Sequence, residues 1–509
     1  MNENAGAGSA TRRQTLKYMG AGLLGLASWG LGGCSGPGGQ NPGARQPDGA
    51  IGEHSGVAGN SDSAGKREAS AQAPTAQPGK MTYRTEARSG DRVSLLGFGC
   101  MRFPTIPDPQ NPGKQIIDEE NSLKLVEYAW EHGVNYFDTA YVYHEQKSEA
   151  FIGKALKRFP RSSFYLATKM PTMLDPTLEQ AKAMFEEELQ RCQVEYFDYY
   201  LMHNFNNLEA VKRVYLERGV YDYLMEEKKR GRIRHLGWSF HGDKELFQYM
   251  LKWRDDWDFV QIQLNYNDWE HGESNHKSTH SDLNAKWMYE ELAKRQIPCV
   301  VMEPLLGGRL AKLNQRALEI LKSANPQASP ASWAFRFAGQ LPNVLTVLSG
   351  MTYMEHLQEN IETFSPLQPL SANETRTLQK ALEAFRSTYT IPCTGCGYCM
   401  PCPYGVAIPN VFAHFNKCVN QERLPQDKQS AEFQRLRREF LIGYNRSATP
   451  LQQADRCIGC GQCIPRCPQG VIIPAEMQKI YDFTQTLGHH GGHGGRGGHG
   501  GRDGRGGRG

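Results

Sequence analysis

Two rhythms of apolar and polar positions alternate through the middle of this chain. Short apolar runs of the strand kind recur at Ser94–Phe98, Val134–Asp138, Phe164–Thr168, Phe197–Met202, His235–Ser239, Phe259–Asn265, Ile297–Glu303 and Val344–Leu348. Between and after them lie stretches with the three-to-four-residue spacing of amphipathic helices: Glu119–His132, Lys147–Leu156, Leu178–Arg191, Val220–Lys229, Lys244–Lys252, Asp282–Arg295, Pro330–Phe337 and Met354–Thr363, with a further one near Asn314–Lys322. A strand that must run parallel to the previous one needs a long crossover, and a helix is the usual crossover. Eight such units in a row predict an α/β fold, a closed (β/α)8 TIM barrel rather than an open sheet.

The flanks follow other patterns. Residues 1–34 read as an export signal. Arg12 and Arg13 stand in a twin-arginine context, and a mildly apolar stretch from Met19 to Leu31 follows. Cys34 closes that stretch like a lipoprotein box and is a candidate lipid attachment point and membrane tether. Residues 35–80 are rich in Gly, Pro, Ser, Ala and Gln, a composition that buries no core and reads as a linker. The barrel is expected over 81–370. A second domain is expected over 371–485, with a helical connector at Ser371–Arg386 and a charged, helix-prone stretch at Asp427–Tyr444. Residues 486–509 form a Gly/His/Arg tail whose His489, His490, His493 and His499 read as solvated rather than as a metal site. The formal charge of +4 with 22% charged residues points to no nucleic-acid partner.

Barrels place their chemistry at the carboxyl ends of the strands. Asp138, Lys169, His203, Ser239 and Asn265 stand at or just past five successive predicted strand ends, with Tyr143 five residues beyond Asp138. An acid, a phenol, an amine and an imidazole placed together make a proton-donating site. Reducing a carbonyl by hydride puts negative charge on oxygen, and a proton must arrive as that charge grows. A tyrosine, ordinarily titrating near ~10, is a poor acid unless a neighbouring ammonium lowers it. Lys169 is the expected ammonium, Asp138 its holder, His203 the group that orients the carbonyl, and Tyr143 the general acid.

Asp138-Thr139-Ala140 with Tyr143, Lys169 and His203 resembles the aldo-keto reductase family, over about residues 82–365. Gly237-Trp238-Ser239, Gln261 and Gln263 with Asn265, Glu303-Pro304-Leu305 and the Ser349-Gly350 to Asn360 stretch extend the resemblance. It implies NADP(H) or NAD(H) as cofactor and a small carbonyl or alcohol as substrate. It also implies nicotinamide-carboxamide contacts from Ser239, Gln261 and Asn265, with Gln263 on the same strand face as Gln261. Glu359 and Asn360 match the family's Glu-Asn pair. Met302 and Glu303 precede Pro304 where the family often has a stacking aromatic. Gly350 and His356 stand where it carries phosphate-gripping Lys and Arg, so the preference between the two coenzymes stays open.

Eight of the 13 cysteines fall into two runs. Cys457, Cys460, Cys463 and Cys467 followed by Pro468 match the ferredoxin-type run for a [4Fe-4S] cluster, with Gly459 and Gly461 giving the backbone tight turns. Cys393, Cys396, Cys399 and Cys402 are spaced one residue shorter before the last cysteine and are expected to serve a second cluster. A single cluster, or zinc, is the alternative. In two-cluster ferredoxins the fourth cysteine serves the other cluster, so Cys402 and Cys467 are expected to exchange. Cys418, outside both runs, reads as a buried free thiol. The long spacer between the runs favours a mainly α-helical ferredoxin-like domain. A redox partner protein is implied. The rival from another class is an electron-transfer subunit whose barrel serves as a docking scaffold.

Overall fold

A computed structural model describes residues 80–111, 113–271 and 283–488. The signal, Cys34, the linker up to residue 79 and the tail histidines lie outside the described residues. Among the described residues no helix is long and apolar enough to cross a membrane.

Eight parallel strands close into a barrel: β1 (Leu96–Gly99), β2 (Tyr136–Asp138), β3 (Tyr165–Pro171), β4 (Phe197–Phe205), β5 (Ile233–Phe240), β6 (Val260–Gln263), β7 (Cys299–Met302) and β8 (Val344–Ser349), with β8 pairing back to β1. All eight expected strands are present, though β6 and β7 are shorter than their apolar runs. Asn265 and Glu303 lie past the last ladder residue of each and belong to the mouth loops. Each expected helix forms within a few residues of its range. Two of the starts are visible as capping boxes, Thr177 with Gln180 and Ser371 with Glu374. A hairpin of Tyr83–Thr85 and Arg92–Ser94 precedes β1.

The period-two alternation of a strand sorts side chains between two cores. Tyr136, Ala167, Tyr199, Leu201 and Val300 fill the barrel interior. Phe137, Leu166, Tyr200, Met202, Trp238, Ile262 and Val301 face the helices. Continuing that alternation to the strand ends turns Asp138, Lys169, His203, Ser239, Gln261 and Gln263 inward. The polar cluster therefore follows from the same rhythm that builds the apolar layers. Trp257 is buried against Trp238 and Trp253, as packing residues.

Beyond the barrel, helix Ala372–Arg386 packs through Phe385 and Leu378 on Leu321 and Trp333. Three helices, Ile408–Asn420, Phe433–Ser447 and Ile473–Thr486, then enclose a smaller core of Val411, Phe412, Phe440, Tyr444, Met477 and Ile480. Polar clamps tie the cysteine loops to this core. Asn416 accepts from the Ile391 N–H at 2.8 Å and donates to the Ile391 carbonyl at 2.7 Å. The Tyr444 hydroxyl accepts from the Ala454 N–H at 3.0 Å. Cys418 is buried, and burial pushes its thiol up to about 11.

Candidate active site and cluster loops

The four residues expected to transfer the proton meet at the barrel mouth. Lys169 Nζ donates to Asp138 Oδ1 at 2.5 Å and to the Thr139 carbonyl at 2.6 Å, and both side chains of the pair are at most 3% exposed. Lys169 Nζ lies 5.0 Å from the centre of the Tyr143 ring, and the Tyr143 and His203 rings stand edge to face at 6.0 Å. Burial, and then the nearby Lys169 charge, hold His203 well below the usual histidine value, so the imidazole is neutral. Its Nδ1 has no protein partner, which leaves the proton free to sit on Nε2, where an oxygen would be bound.

Lys169 is the ammonium expected to lower the Tyr143 phenol. In this arrangement burial pushes the phenol well up, with Tyr398 and Asp138 adding to the rise, so Tyr143 is a firmly protonated donor. Low polarity around the phenol outweighs one ammonium that is already neutralised by Asp138.

The expected cofactor residues separate into two groups. Ser239 and Gln261 are direct neighbours in register on β5 and β6. Ser239 Oγ accepts from the Asn204 N–H at 2.8 Å, and the buried Gln261 Oε1 has no partner. An unpaired buried acceptor is costly, and a carboxamide NH2 reaching this depth would satisfy it. These residues fit a nicotinamide. Asn265 is engaged differently. Its amide donates to Asp268 Oδ2 at 2.9 Å and to the Glu303 carbonyl at 3.1 Å, and its oxygen accepts the N–H groups of Asn267 and Asp268. It pins the loop after β6. Asn360 donates to Ser349 Oγ at 3.0 Å, tying its helix to the end of β8, and Glu359 is half-buried beside it.

The cysteines surround two places. A small cavity is lined by Cys393, Cys396, Cys399 and Cys467 with Ile408, Phe412, Val471 and Ile473. Cys402 instead neighbours Cys457 and Cys463, as Cys460 does. The fourth cysteines are thus exchanged. Four thiols in an apolar wall, with the Gly395 N–H aimed at Cys393 Sγ at 3.4 Å, are a donor set that fits a [4Fe-4S] cubane. Gly395, Gly397, Gly459 and Gly461 all adopt positive φ, which lets the loops wrap. Cys460 is exposed, so the second place faces outward.

How the two sites meet is not announced by any spacing in the chain. The inner cysteine loop lies on the barrel mouth. Tyr398, between Cys396 and Cys399, brings its hydroxyl 3.2 Å from His203 Nε2 and lies beside the Tyr143 phenol. Arg102, after β1, donates to the carbonyls of Thr394 at 2.7 Å and Gly395 at 2.9 Å. Gln469 and Gln263 exchange amide hydrogen bonds at 3.0 and 3.3 Å. Gly307, at φ +65°, lies so close that a Cβ there would sit 2.3 Å from the Thr394 carbonyl oxygen. Gly350 leaves room for the Arg102 stem, which a Cβ would meet at 2.4 Å. The space left by Gly350 is thus the path by which Arg102 reaches the cluster loop. An aromatic residue inside a C-x2-C-x2-C run was the one signal available for this.

A barrel with this cluster of acid, phenol, amine and imidazole at its strand ends, followed by two cysteine runs, has recognisable relatives. The chain belongs to the aldo/keto reductase family, whose model matches residues 95–383, and a 4Fe-4S dicluster domain model matches residues 392–472. Similar proteins include L-galactose dehydrogenase of Arabidopsis thaliana, 24% identical over 58% of this chain and 92% of that protein. Probable aldo-keto reductase 1 of Glycine max is 32% identical over 30% of this chain, a match that spans only 42% of the soybean protein. Among solved structures, the holo form of aldo-keto reductase AKR11C1 from Bacillus halodurans aligns with a TM-score of 0.46 and 22% identity, covering 59% of this chain and 96% of that one.

Proposed function

We propose that this chain is an exported oxidoreductase that interconverts a small carbonyl and its alcohol by hydride transfer, coupled to or regulated by iron–sulfur electron transfer. The observation that carries the reading is the buried Asp138–Lys169 pair with Tyr143 and His203 at the barrel mouth, beside an unpaired Gln261 acceptor. Ser239 and Gln261 would hold the carboxamide of NADP(H) or NAD(H), which when bound supplies the hydride. Neutral His203 donates from Nε2 to the substrate oxygen and fixes its direction. Tyr143 gives up its phenolic proton to that oxygen as negative charge grows. Lys169, held by Asp138 and the Thr139 carbonyl, faces the phenolate left behind and limits its cost. Inner and outer thiol sets would hold two [4Fe-4S] clusters that pass single electrons, and the exposed outer set is where a redox partner protein would reach them.

Export rests on Arg12 and Arg13. A twin-arginine route carries proteins already folded, which suits a chain that must load clusters first, and Cys34 would then tether it to a membrane. Changing both arginines to lysine should leave the loaded protein inside the cell. Arrival outside regardless would remove that route from the proposal.

The catalytic part is tested by Tyr143→Phe in anaerobically purified full-length protein. Carbonyl reduction with NADPH or NADH should fall by at least about a hundredfold with cluster content unchanged. Undiminished turnover would take Tyr143 out of the mechanism. A second reading, an electron-transfer subunit with the barrel as scaffold, is favoured by Arg102 lying across Gly350 and by Gln263 being spent on Gln469. Acid release of bound nucleotide from the purified chain, followed by mass spectrometry, separates the two.

A further inference from the structure

The Tyr398 hydroxyl contacts His203 and lies beside Tyr143, the two groups that should hold a substrate oxygen. A carbonyl oxygen awaiting a proton must lie within hydrogen-bond reach of the Tyr143 hydroxyl and of His203 Nε2 together. The Tyr398 oxygen meets that condition. It is 3.2 Å from His203 Nε2, with its ring edge to face with the His203 ring at 6.2 Å, and it lies beside the Tyr143 phenol, whose ring is edge to face with the same His203 ring. Two oxygens cannot share that place.

The contact is built into the loop rather than a chance of one side chain. Cys396 and Cys399, on either side of Tyr398, line the inner thiol cavity, so their bonds to a cluster would fix the backbone on both sides of it. The loop is seated on the barrel from two directions: Arg102 holds the carbonyls of Thr394 and Gly395, and Gly307 lets Thr394 approach. The loop after Cys467, which supplies the fourth thiol of the same cavity, adds a third grip through Gln469 to Gln263. These grips come from loops after β1 and β7 and from the end of β6, which surround the mouth.

We propose that Tyr398 is a resident occupant of the substrate-oxygen position, and that the inner cluster loop is thereby a gate. The barrel admits a carbonyl or alcohol only when the loop carrying Cys393 to Cys402 has shifted off the mouth. This rests on the carbonyl/alcohol reading of the same site. A small oxygen ligand must displace an internal phenol, so its apparent affinity is reduced by the fraction of molecules with the loop withdrawn.

The test uses the full-length, cluster-loaded protein and two probes. In Tyr398→Ala the lost side chain leaves a phenol-shaped hole lined by Tyr143 and His203. Calorimetry should show phenol binding to Tyr398→Ala at millimolar concentration and no binding to the unaltered protein. The double variant Tyr398→Ala/His203→Ala should lose it again. Arg102→Ala, which keeps Tyr398 and only loosens the loop, should show weaker phenol binding in the same direction. The second probe is reduction of 4-nitrobenzaldehyde with NADPH. The value of kcat/KM should rise at least about tenfold in Tyr398→Ala and less in Arg102→Ala. Absence of phenol binding in both variants would overturn the proposal. So would a fall in kcat/KM with iron content intact, which would make Tyr398 a participant rather than an obstacle. Phenol binding without turnover in any form would uphold the gate and overturn the carbonyl/alcohol reading.

Discussion

The barrel and the cluster domain hold their reactive groups in opposite ways. In the barrel, three of the four proton-transfer residues stand on strands beside in-register neighbours: Asp138 beside Gly99 and Ala167, Lys169 beside Leu201, and His203 beside Pro171. The ladder and the two apolar layers place these three, and the turn after β2 brings Tyr143 to them. In the cluster domain the cysteines sit on loops with glycines at positive φ and no ladder, fastened by a small helical core and a few clamps such as Asn416. Its metal-binding groups are arranged by the loops, and the clusters themselves would contribute much of the cohesion.

The sharpest break in that comparison is a change inside each region. Lys169→Met leaves Asp138 as an uncompensated charge in the barrel, which should cost about 3–5 kcal/mol of stability by chemical denaturation, in addition to activity. The cluster-domain transition, followed by cluster absorbance, should move far less. The reverse experiment is Cys467→Ser. Iron should fall from about eight to about four per chain as the inner cluster is lost. The helical signal of the cluster domain should weaken while the barrel keeps its thermal transition. If Cys402→Ser rather than Cys467→Ser removed the inner cluster, the ligand exchange would be wrong.

Smaller effects sharpen the boundary between the regions. Gly307→Ala places a methyl group against the Thr394 carbonyl at a left-handed backbone position, and about 1–3 kcal/mol of interface stability should be lost. Proteolysis of the 393–402 loop would report it. The smallest change is a pH dependence belonging to the barrel. Burial brings His241 and His144 down to about 4, so both are neutral when folded and take up a proton more readily when unfolded. Their contribution is intact above the ordinary histidine value near ~6.5 and is lost as pH falls through that value toward 4, at up to about 1.4 kcal/mol per pH unit for each group. Denaturant titrations across that window should show the decline in the barrel transition.

Much of the barrel could be read from sequence because its information is local. A strand end is announced by the residues beside it, and the inward turn of Asp138, Lys169 and His203 follows from counting by twos. The cluster motifs were equally plain, since four thiols must span one cubane. Two things were not. The position of Gln261 against Gln263 needs the partner strand, which sets Gln261 beside Ser239 and leaves Gln263 to Gln469. The seating of one domain on the other is written in contacts 195 to 293 residues apart, between Tyr398 and His203 and between Arg102 and Gly395. No periodicity encodes those. Asn265, expected at the cofactor, also fastens the loop after β6 through its hydrogen bonds, which the strand pattern alone does not announce.

The inner thiol loop and the four proton-transfer residues meet in one centre. A crystal structure of the anaerobically purified chain, with diffraction recorded at the iron absorption edge, tests this most directly. It should locate two cubanes, the inner one held by Cys393, Cys396, Cys399 and Cys467, with the Tyr398 hydroxyl within hydrogen-bond reach of His203 Nε2. An inner cluster ligated by Cys402, or a Tyr398 side chain turned to solvent with the barrel mouth open, would contradict it.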